Sequence, residues 1–473
     1  MNTYDEIAYP GYPFRQAHPD RMGVVARLLG MQPAPAHRCR VLELGCGDGG
    51  NLIPMAHTLP ESEFTGIDLA GAPIARGRRL AADLGLRNLR LFAMDVCDVD
   101  RAFGEFDYII AYGLYSWVPA PVRRRILEIA RDLLAPEGVA YVNYNAYPGG
   151  HVRRMIREML LFHIRGIDAA GERIARAQAF LKSLADSPAL TDEYGALVKA
   201  EAARLLGREG AFLYHDELSE IFEPVSFHEF AAAAAACGLQ YLAEATLSDA
   251  HTASGPLAAW LEQFPDPLVR EQHLDFMRYR SFRHTLLCRR EVALAPELQL
   301  DAVAGLWAAS NASVRKIDGE MEFRSARATL RTAHPTACAV LTSLAERWPR
   351  AIPVSELTAH GDSESRRTVC AILLRAFAGE VLELYGTPPV VAACAGDRPE
   401  ASALARLQAR SEDKVSTPLH TYIALRDETA RRLILLLDGT RDRAALLEAL
   451  GPQARADDLE RSLAALVRLG LLV

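Results

Sequence analysis

Long apolar runs and a secretion signal are both missing from this sequence. No segment approaches the roughly 20 consecutive apolar residues that a membrane-spanning helix needs. The N-terminal residues MNTYDEIAYPGYPFRQ contain neither the basic region nor the apolar region of a signal peptide. We therefore expect a cytoplasmic protein without a membrane partner.

A basic charge balance and closely paired cysteines are missing as well. The net charge is −7, which favours no polyanionic partner, so we expect no nucleic-acid binding. None of the eight cysteines stands at CxxC spacing, so we expect reduced thiols and no metal site. What is present is a chain of 473 residues with 50% hydrophobic content, which is enough for several globular domains.

Short apolar strands alternate with helical segments in the first 145 residues. This alternation is typical of βαβ units and predicts a parallel sheet of Rossmann-like, α/β character. The last helix, Val122–Leu134, is expected to end before Pro136 and Gly138. The predicted strands are Val41–Leu44, Phe64–Asp68, Leu89–Met94, Phe106–Ala111 and Val139–Tyr144.

The regular alternation stops near residue 150. Residues 151–222 have a helical pattern and form a large predicted insertion, which is also a candidate homodimer surface. Two further strands, Leu239–Glu244 and His284–Arg289, are predicted within the segment 223–292. We expect them to complete the sheet of the first domain (1–150), although a separate second domain is the alternative.

The C-terminal part repeats one pattern twice. Residues 315–388 and 415–473 each contain an apolar helix, a short second helix, and a longer helix that leads into an apolar strand. Three helices with a terminal strand predict two winged-helix-like modules, at 293–395 and 415–473, in a mainly helical region. The stretch 396–417 is predicted to be the linker between them.

A glycine cluster follows the first strand, in the sequence VLELGCGDGG. Glycine adopts positive φ freely, so Gly45, Gly47 and Gly49 allow the backbone to pass close to a ligand. Gly45, Gly47 and Gly50 also satisfy the dinucleotide fingerprint GxGxxG, with Asp68 about twenty residues further on. The cluster alone therefore leaves a dinucleotide and S-adenosylmethionine both open.

Acidic residues at the strand ends separate these two cofactors. Glu43 lies two residues before Gly45, where its carboxylate would repel a pyrophosphate but suits a cofactor with an amino group. Asp68 can accept hydrogen bonds from ribose hydroxyls, and Asp95 from the adenine amino group, although Asp95 alone is also explained as a cap. The carboxyl ends of parallel strands meet at one edge of a sheet. The pattern favours S-adenosylmethionine, with S-adenosylhomocysteine as product, over NAD or FAD.

Further segments are distinctive as a set. They are YPFRQAHPDRM (12–22), VLELGCGDGGNLIPMA (41–56), GIDLA (66–70), YIIAYGLYSWVP (108–119), YNAYPGGHVRRMIREML (144–160), FLYHDELSEIFEPVSFHEF (212–230) and FMRYRSFRHTLLCRRE (276–291). In these segments the chain resembles bacterial class I methyltransferases with a methyltransferase regulatory domain, such as the rickettsial outer-membrane-protein lysine methyltransferases. The resemblance covers about the first 290 residues and is loose beyond residue 295.

The resemblance implies an N-terminal lid over the cofactor, a methyltransferase core and a regulatory segment packed on that core. We expect the lid to close over the cofactor, although its residues are equally well explained as the lead into a helix. The predicted cofactor contacts are Tyr12, Gln16, His18, Glu43, Gly45, Cys46, Gly47, Asn51, Asp68, Leu69, Asp95, Val96 and Tyr112.

Aromatic residues are the candidates for positioning the methyl acceptor. Tyr115 and Trp117 follow the fourth strand with Tyr112, and aromatic faces attract a sulfonium or methylammonium through cation–π interactions. Their alternative role is an aromatic plug over the sheet. Tyr214 and His215 fall in a family-like segment, and a hydrogen-bonded structural role is the alternative for His215.

Asn145 and Tyr147, after the fifth strand, are second candidates for the acceptor site or plain turn residues.

Three functions are compatible with these features. The first is N-methylation of lysine side chains in a protein or peptide substrate, with the C-terminal modules holding the polypeptide. The second is methylation of a small molecule or a leader-bearing natural-product peptide. The third is a binding protein that senses S-adenosylmethionine, which the intact glycine turn and acids disfavour. If the modules only dock substrate, a chain ending at Arg290 should still bind the cofactor.

Overall fold

A seven-stranded sheet forms the centre of the computed structural model, which describes residues 7, 9–247, 255–359 and 361–473. Its strand order is β3-β2-β1-β4-β5-β7-β6; β7 runs antiparallel to both neighbours, and the other paired strands are parallel. The predicted α/β, Rossmann-like sheet is confirmed, including the late return of its last two strands. The strands are β1 Arg40–Leu44, β2 Glu63–Asp68, β3 Leu89–Ala93, β4 Phe106–Ala111, β5 Leu134–Asn145, β6 Leu239–Glu244 and β7 Phe282–Arg289.

Helices cover both faces of this sheet, as the alternating sequence predicts. The first begins at Pro19, where a missing N–H costs nothing, and His18 Nδ1 accepts a hydrogen bond from the Asp20 amide. Another begins with a capping box between Ser226 and Glu229. The helices of the sheet domain are α1 Pro19–Leu28, α2 Leu52–Thr58, α3 Gly71–Asp83 and α4 Ala120–Leu133.

The strands of the sheet send alternate residues to opposite faces. Leu42 and Leu44 of β1 pack into one core, whereas Val41 packs into the core on the other face. Glu43 shares the face of Val41 and is buried at 3% exposure. A carboxyl group is therefore held inside the protein at the carboxyl end of a central strand.

The insertion after β5 is helical, as predicted, and has a core of its own. Its leucines, isoleucines and alanines pack together around Ile156, Leu181 and Leu205. The chain leaves it through the short segment Gly210–Phe212 and the π-helical turn Leu213–Glu217. The helices from β5 to β7 are α5 Gly149–His163, α6 Ala170–Asp186, α7 Glu193–Leu206, α8 Phe227–Ala236, α9 Pro256–Leu261 and α10 Pro267–Arg278.

The next segment, residues 293–395, is here called module 1. Its three helices and terminal strand agree with the winged-helix pattern, but it also contains an antiparallel sheet, β9 to β11, that the sequence analysis did not predict. Its elements are β8 Trp307–Ala309, β9 Ser313–Ile317, β10 Glu320–Arg324, β11 Thr329–Thr332, α11 Pro335–Glu346, β12 Ile352–Pro353, α12 Val354–Leu357, α13 Ser363–Ala378 and β13 Glu383–Tyr385.

Residues 396–473, here called module 2, correct the predicted linker. The stretch 396–417 is folded, because Ala401 and Ala405 pack into the same core as Leu433 and Leu463. The sequence analysis missed this because the buried residues there are mostly alanines between charges. The elements of module 2 are α14 Ala403–Gln408, β14 Lys414–Ser416, β15 Tyr422–Ala424, α15 Glu428–Leu436, α16 Arg443–Leu450 and α17 Ala456–Arg468.

Among the described residues, the structure contains no helix that is both long enough and apolar enough to span a bilayer.

Candidate functional site

The glycine turn after β1 leaves open space for a ligand. Gly45 and Gly47 have φ values of 74° and 57°, in the left-handed region that glycine adopts most easily. The amides of Gly45 and Cys46 donate to the Ile67 carbonyl at 2.8 and 3.0 Å, which fastens the turn to β2. Apart from Gly47 itself and its two neighbours in the chain, no described residue has an atom within 4 Å of the position that a Cβ of Gly47 would take. The backbone at Gly47 is therefore free to contact a bound molecule.

Asp68 lies beside this turn at the end of β2. Its Oδ2 accepts a hydrogen bond from the Gly47 amide at 2.8 Å, and its Oδ1 accepts one from the Ala70 amide at 2.8 Å. The next residue, Leu69, is 65% exposed, which is unusual for a leucine beside a buried strand. An oriented carboxylate and an exposed apolar side chain suit the sugar and the flat base of a nucleoside.

Asp95 follows β3, the neighbour of β2. Its carboxylate accepts a hydrogen bond from the Cys97 amide at 2.8 Å, so it has the capping role that was the alternative prediction. The side chain remains exposed, whereas Val96 is buried beneath it. Because β2 and β3 are paired up to Asp68 and Ala93, Asp95 lies at the same edge of the sheet as Asp68.

Glu43 has a carboxylate oxygen that no described residue satisfies. Its Oε1 accepts a hydrogen bond from Asn51 Nδ2 at 3.0 Å, while the buried Oε2 accepts none from the described residues. Burial raises the pKa of Glu43 to about 8, and the hydrogen bond from Asn51 opposes this shift. Buried polar atoms are normally hydrogen-bonded. The unsatisfied Oε2 therefore fits the cationic amino group of S-adenosylmethionine.

The N-terminal segment crosses the glycine turn. The Phe14 amide donates to Asn51 Oδ1 at 3.0 Å, and the Phe14 ring stacks on Tyr112 with centroids 3.5 Å apart. A Cβ on Gly50 would lie only 2.5 Å from the Gly11 backbone, so the two chains touch. Gly11 and Phe14, which the sequence analysis did not select, form the contact with the turn.

The three lid residues predicted to contact the cofactor are engaged in contacts within the chain. Tyr12 stacks on Tyr422 of module 2, with centroids 4.6 Å apart. The Gln16 amide oxygen accepts hydrogen bonds from Arg327 at 3.1 Å when it is turned toward that guanidinium. His18 caps α1. Side-chain direction in such an irregular segment is not determined by residue spacing.

Two of the predicted acceptor residues are core residues, and these predictions are corrected. Tyr115 is 4% exposed and packs edge-on against Phe230 at 5.2 Å, which is the aromatic plug considered as its alternative. Tyr214 is 5% exposed and belongs to the core of the helical insertion. Both are packed inside the protein, with the guanidinium groups of Arg123 and Arg173 at 6.0 and 5.8 Å from the respective ring centres.

The other two are occupied by contacts within the chain. His215 Nε2 lies 2.7 Å from the Ile7 carbonyl oxygen, so this histidine holds the N-terminal segment. Trp117 packs against Phe222, and the guanidinium of Arg153 lies 5.2 Å from the centre of its ring. Neither contact supports the predicted acceptor role.

Asparagines at the end of β5 are better candidates for the acceptor side. Asn143 Oδ1 accepts from the Gly113 amide at 2.6 Å, and Asn145 Oδ1 accepts from Arg153 at 2.5 Å. The Nδ2 atoms of both asparagines are buried and donate to no described residue. Arg153 is in turn held by Glu217 at 2.7 Å. Of these residues the sequence analysis selected only Asn145. The sequence Asn143-Tyr144-Asn145 could have indicated Asn143 as well, because alternate residues of a strand point to the same face.

Three features together define the class I methyltransferase fold. They are a sheet that is parallel except for the antiparallel β7, the glycine turn after β1, and the acids at the ends of neighbouring strands. Comparison with protein families agrees with this. A family described as "Methyltransferase domain" matches residues 41–138, "Predicted methyltransferase regulatory domain" matches 209–289, and "PKMT, C-terminal winged helix domain" matches 397–464.

Two uncharacterised proteins of Rickettsia prowazekii (strain Madrid E) are similar in sequence. One is 28% identical over 478 residues, covering 95% of this chain and 85% of the relative. The other is 34% identical over 229 residues, covering 48% of this chain and 92% of the relative. The chain therefore belongs to the S-adenosylmethionine-dependent methyltransferases that carry a methyltransferase regulatory domain.

A solved structure matches almost the whole chain. PKMT2 from Rickettsia typhi is 25% identical and aligns with a TM-score of 0.86 over 98% of this chain and 100% of that one. The structure of PKMT2 in complex with AdoHcy aligns with a TM-score of 0.87 at 24% identity, over 98% of this chain and 99% of that one.

Proposed function

We propose that this enzyme N-methylates lysine side chains of a protein substrate by direct transfer from S-adenosylmethionine. The observation that carries the proposal is the extent of the likeness to PKMT2, which includes both C-terminal modules as well as the methyl-transfer core. The match of residues 397–464 to a winged helix domain described for PKMT supports the same conclusion. A segment of this size beyond the core suits an enzyme that must hold a polypeptide.

Five residues along the sheet edge would hold the cofactor. Glu43 Oε2 receives the amino group, Asp68 the ribose hydroxyls, and the backbone at Gly47 lies beside the ligand. The exposed Leu69 packs on the base, and Asp95 accepts from the adenine amino group. Bound S-adenosylmethionine supplies a methyl group that its positively charged sulfur has already activated.

The chain must also deliver a neutral amine, because a protonated lysine has no electron pair for the attack. Shifting a lysine pKa from 10.4 to 7 takes about 4.6 kcal/mol. Phe14, Tyr112 and Tyr141 form an aromatic stack beside the turn, and such a wall excludes water. The positively charged sulfur of the bound cofactor would disfavour a second cation beside it. The Nδ2 groups of Asn143 and Asn145, for which no hydrogen-bond acceptor is found among the described residues, are donors with which the acceptor segment can pair.

Gly47→Arg tests the cofactor site. The new side chain would enter the open space beside the turn, so we expect a folded protein without measurable S-adenosylhomocysteine binding by calorimetry. Gly85→Arg is the matched control: Gly85 has φ 66° with no described atom near its Cβ position, in the turn before β3. Both variants carry a strain of about 1–2 kcal/mol. Equal, undiminished binding in both would remove the assigned site.

The acceptor is tested by labelling. The enzyme is incubated with isotopically labelled S-adenosylmethionine and a cell extract, with the Gly47→Arg protein as control, and labelled products are identified by mass spectrometry. We expect label on lysine Nζ atoms of protein. Label only on a small molecule or on a leader-bearing peptide would support the alternative function instead.

We also propose that the insertion α5–α7 is a dimer surface. Phe162, Tyr194 and Leu197 are 66%, 46% and 40% exposed, although they are large and apolar. Light scattering should give twice the chain mass, and Phe162→Glu should reduce it. A monomeric wild-type protein would contradict this.

A further inference from the structure

His420 connects module 2 to the cofactor site from the far end of the chain. It lies in the turn between β14 and β15, where its amide donates to the Thr417 carbonyl at 2.9 Å. Its φ of 53° is in the left-handed region, and its side chain is buried at 5% exposure. His420 Nε2 lies 2.9 Å from Asn51 Oδ1, so module 2 contacts a residue of the glycine-turn segment directly.

The hydrogen bond from His420 has a defined direction. Burial, with smaller effects from His18 and Arg15, lowers the pKa of His420 well below its usual range, so the ring is neutral. The Asn51 oxygen is an acceptor, so Nε2 carries the proton and donates. The same oxygen also accepts from the Phe14 amide at 3.0 Å. Two N–H groups, from opposite ends of the chain, therefore point at one amide oxygen.

This arrangement fixes the orientation of the Asn51 amide. With Oδ1 facing two donors, Nδ2 faces Glu43 Oε1 and donates to it at 3.0 Å. In the reversed orientation the NH2 group would face the Phe14 N–H, which can only donate. Glu43 is consequently held with one oxygen occupied and the other, Oε2, open.

We propose that His420 is a positioning residue for the cofactor's amino group, acting through Asn51 and Glu43. Module 2 thereby completes the methyl-donor site in addition to any part it has in holding substrate. This inference rests on the proposed function, specifically on Glu43 Oε2 receiving the ammonium group. His420 itself would touch neither the cofactor nor the acceptor.

The test compares two ligands that differ in the amino-acid part, which includes the amino group that Glu43 would receive. S-adenosylhomocysteine carries the ammonium group, whereas 5′-methylthioadenosine is the same nucleoside without the amino-acid part. His420→Phe keeps a buried ring but removes the donor. We expect the affinity for S-adenosylhomocysteine to fall about tenfold, which corresponds to the loss of one hydrogen bond. The affinity for 5′-methylthioadenosine should change less than about twofold, which is smaller than the effect of losing one hydrogen bond.

Two further variants complete the design. His420→Gln restores an N–H donor with the same backbone strain as Phe, and it should recover most of the lost affinity. Thr421→Val removes the Thr417–Thr421 hydroxyl contact of 2.8 Å in the same turn, and it should leave both affinities unchanged.

Each outcome decides between the two proposals. Three results would overturn the positioning role of His420. They are an equal loss of affinity for both ligands in His420→Phe, wild-type affinity for both in that variant, and no recovery of affinity in His420→Gln. Glu43→Gln separates this from failure of the site itself, because its amide would face the ammonium group. If Glu43→Gln binds S-adenosylhomocysteine with wild-type affinity, the proposed function of Glu43 fails. If Glu43→Gln selectively lowers the affinity for S-adenosylhomocysteine and His420→Phe does not, only the inference about His420 fails.

Discussion

Glu43 places a carboxyl group inside the protein with only one of its oxygens hydrogen-bonded. Because its pKa is raised to about 8, the group is mostly protonated at neutral pH when no cation is bound. A raised pKa also means that the cofactor-free protein loses stability as the pH rises from 4.5, the ordinary pKa, to about 8, because over this range the unfolded chain ionises before the buried group does. A bound ammonium group would reverse this preference, since it favours the charged carboxylate.

The affinity for S-adenosylhomocysteine should therefore depend on pH through Glu43. Below the pKa of about 8, binding must first remove a proton from Glu43, so affinity should fall by up to about tenfold per pH unit between pH 8 and pH 6. Calorimetry in buffers of different ionisation enthalpy should detect the released proton. Glu43→Gln should bind weakly with little dependence on pH. A slope in that variant equal to the wild-type slope would assign the proton to another group.

The position of a side chain was predictable where the backbone leaves it little choice. Glu43 and Asp68 sit on or at the end of regular strands, so strand alternation and sheet direction fix where they point. Tyr12 belongs to an irregular segment and stacks on a residue about 400 positions away. His420 was not predictable at all, because its role comes from a tertiary contact and no local motif marks it.

The attachment of α10 to the sheet depends on one buried arginine. Arg283 of β7 is fully buried, and its guanidinium contacts Glu244 at 2.7 Å, Glu271 at 3.0 Å and Asp275 at 2.7 Å. The guanidinium also lies 4.0 Å from the ring centre of Phe227 in α8. One cation therefore joins β6, β7, α8 and α10, which together form most of the regulatory segment.

Arg283→Met should destabilise the protein strongly. Methionine matches the volume of the aliphatic part but removes the cation that Glu244 and Glu271 contact, while Asp275 keeps its contact with Arg280 at 2.7 Å. Breaking a buried pair in this way costs about 3–5 kcal/mol. Chemical denaturation monitored by circular dichroism gives this difference. Arg124→Met is the control, since the Arg124–Glu128 pair is exposed and should change stability by less than about 0.5 kcal/mol. Similar values for both variants would contradict the role of the buried cluster.

Elements were predictable in proportion to their regularity. The strands of the large sheet have apolar runs bounded by turns, and β4 and β6 were predicted to the residue. The sheet β9–β11 was missed because β9 contains no buried residue. Its residues are either exposed or half-buried. A strand that pairs mainly with its own neighbours needs few apolar residues, and it therefore leaves a weak signal in the sequence.

The two C-terminal modules are joined to the rest of the molecule in different ways. Module 1 shares a continuous core with one face of the sheet, in which Leu306 and Leu384 pack in the same cluster as Val24 and Val41. Module 2 has a separate core, against which Ala392 and Ala395 of module 1 pack, and it reaches the N-terminal segment through ring stacking and polar contacts. Lys414 Nζ, for example, donates to Tyr12 at 2.5 Å and to Glu209 at 2.7 Å. The modules resemble each other in pattern, yet only the first completes the main core.

A chain ending at Arg290 should consequently not behave as an independent cofactor-binding unit, contrary to the expectation from sequence. Its loss of module 1 would expose α1, whose Asp20 accepts from the amides of Gly386 and Thr387, and the shared apolar core. Each large apolar side chain returned to water costs about 1.5–3 kcal/mol, against a total stability of about 5–15 kcal/mol. We expect aggregation or a much lower melting temperature in thermal unfolding. A chain ending at residue 395 keeps the shared core and should stay folded, with weaker S-adenosylhomocysteine binding because His420 is gone. A soluble, cooperatively unfolding chain of residues 1–290 with wild-type affinity would show that the core of the methyltransferase domain closes without module 1.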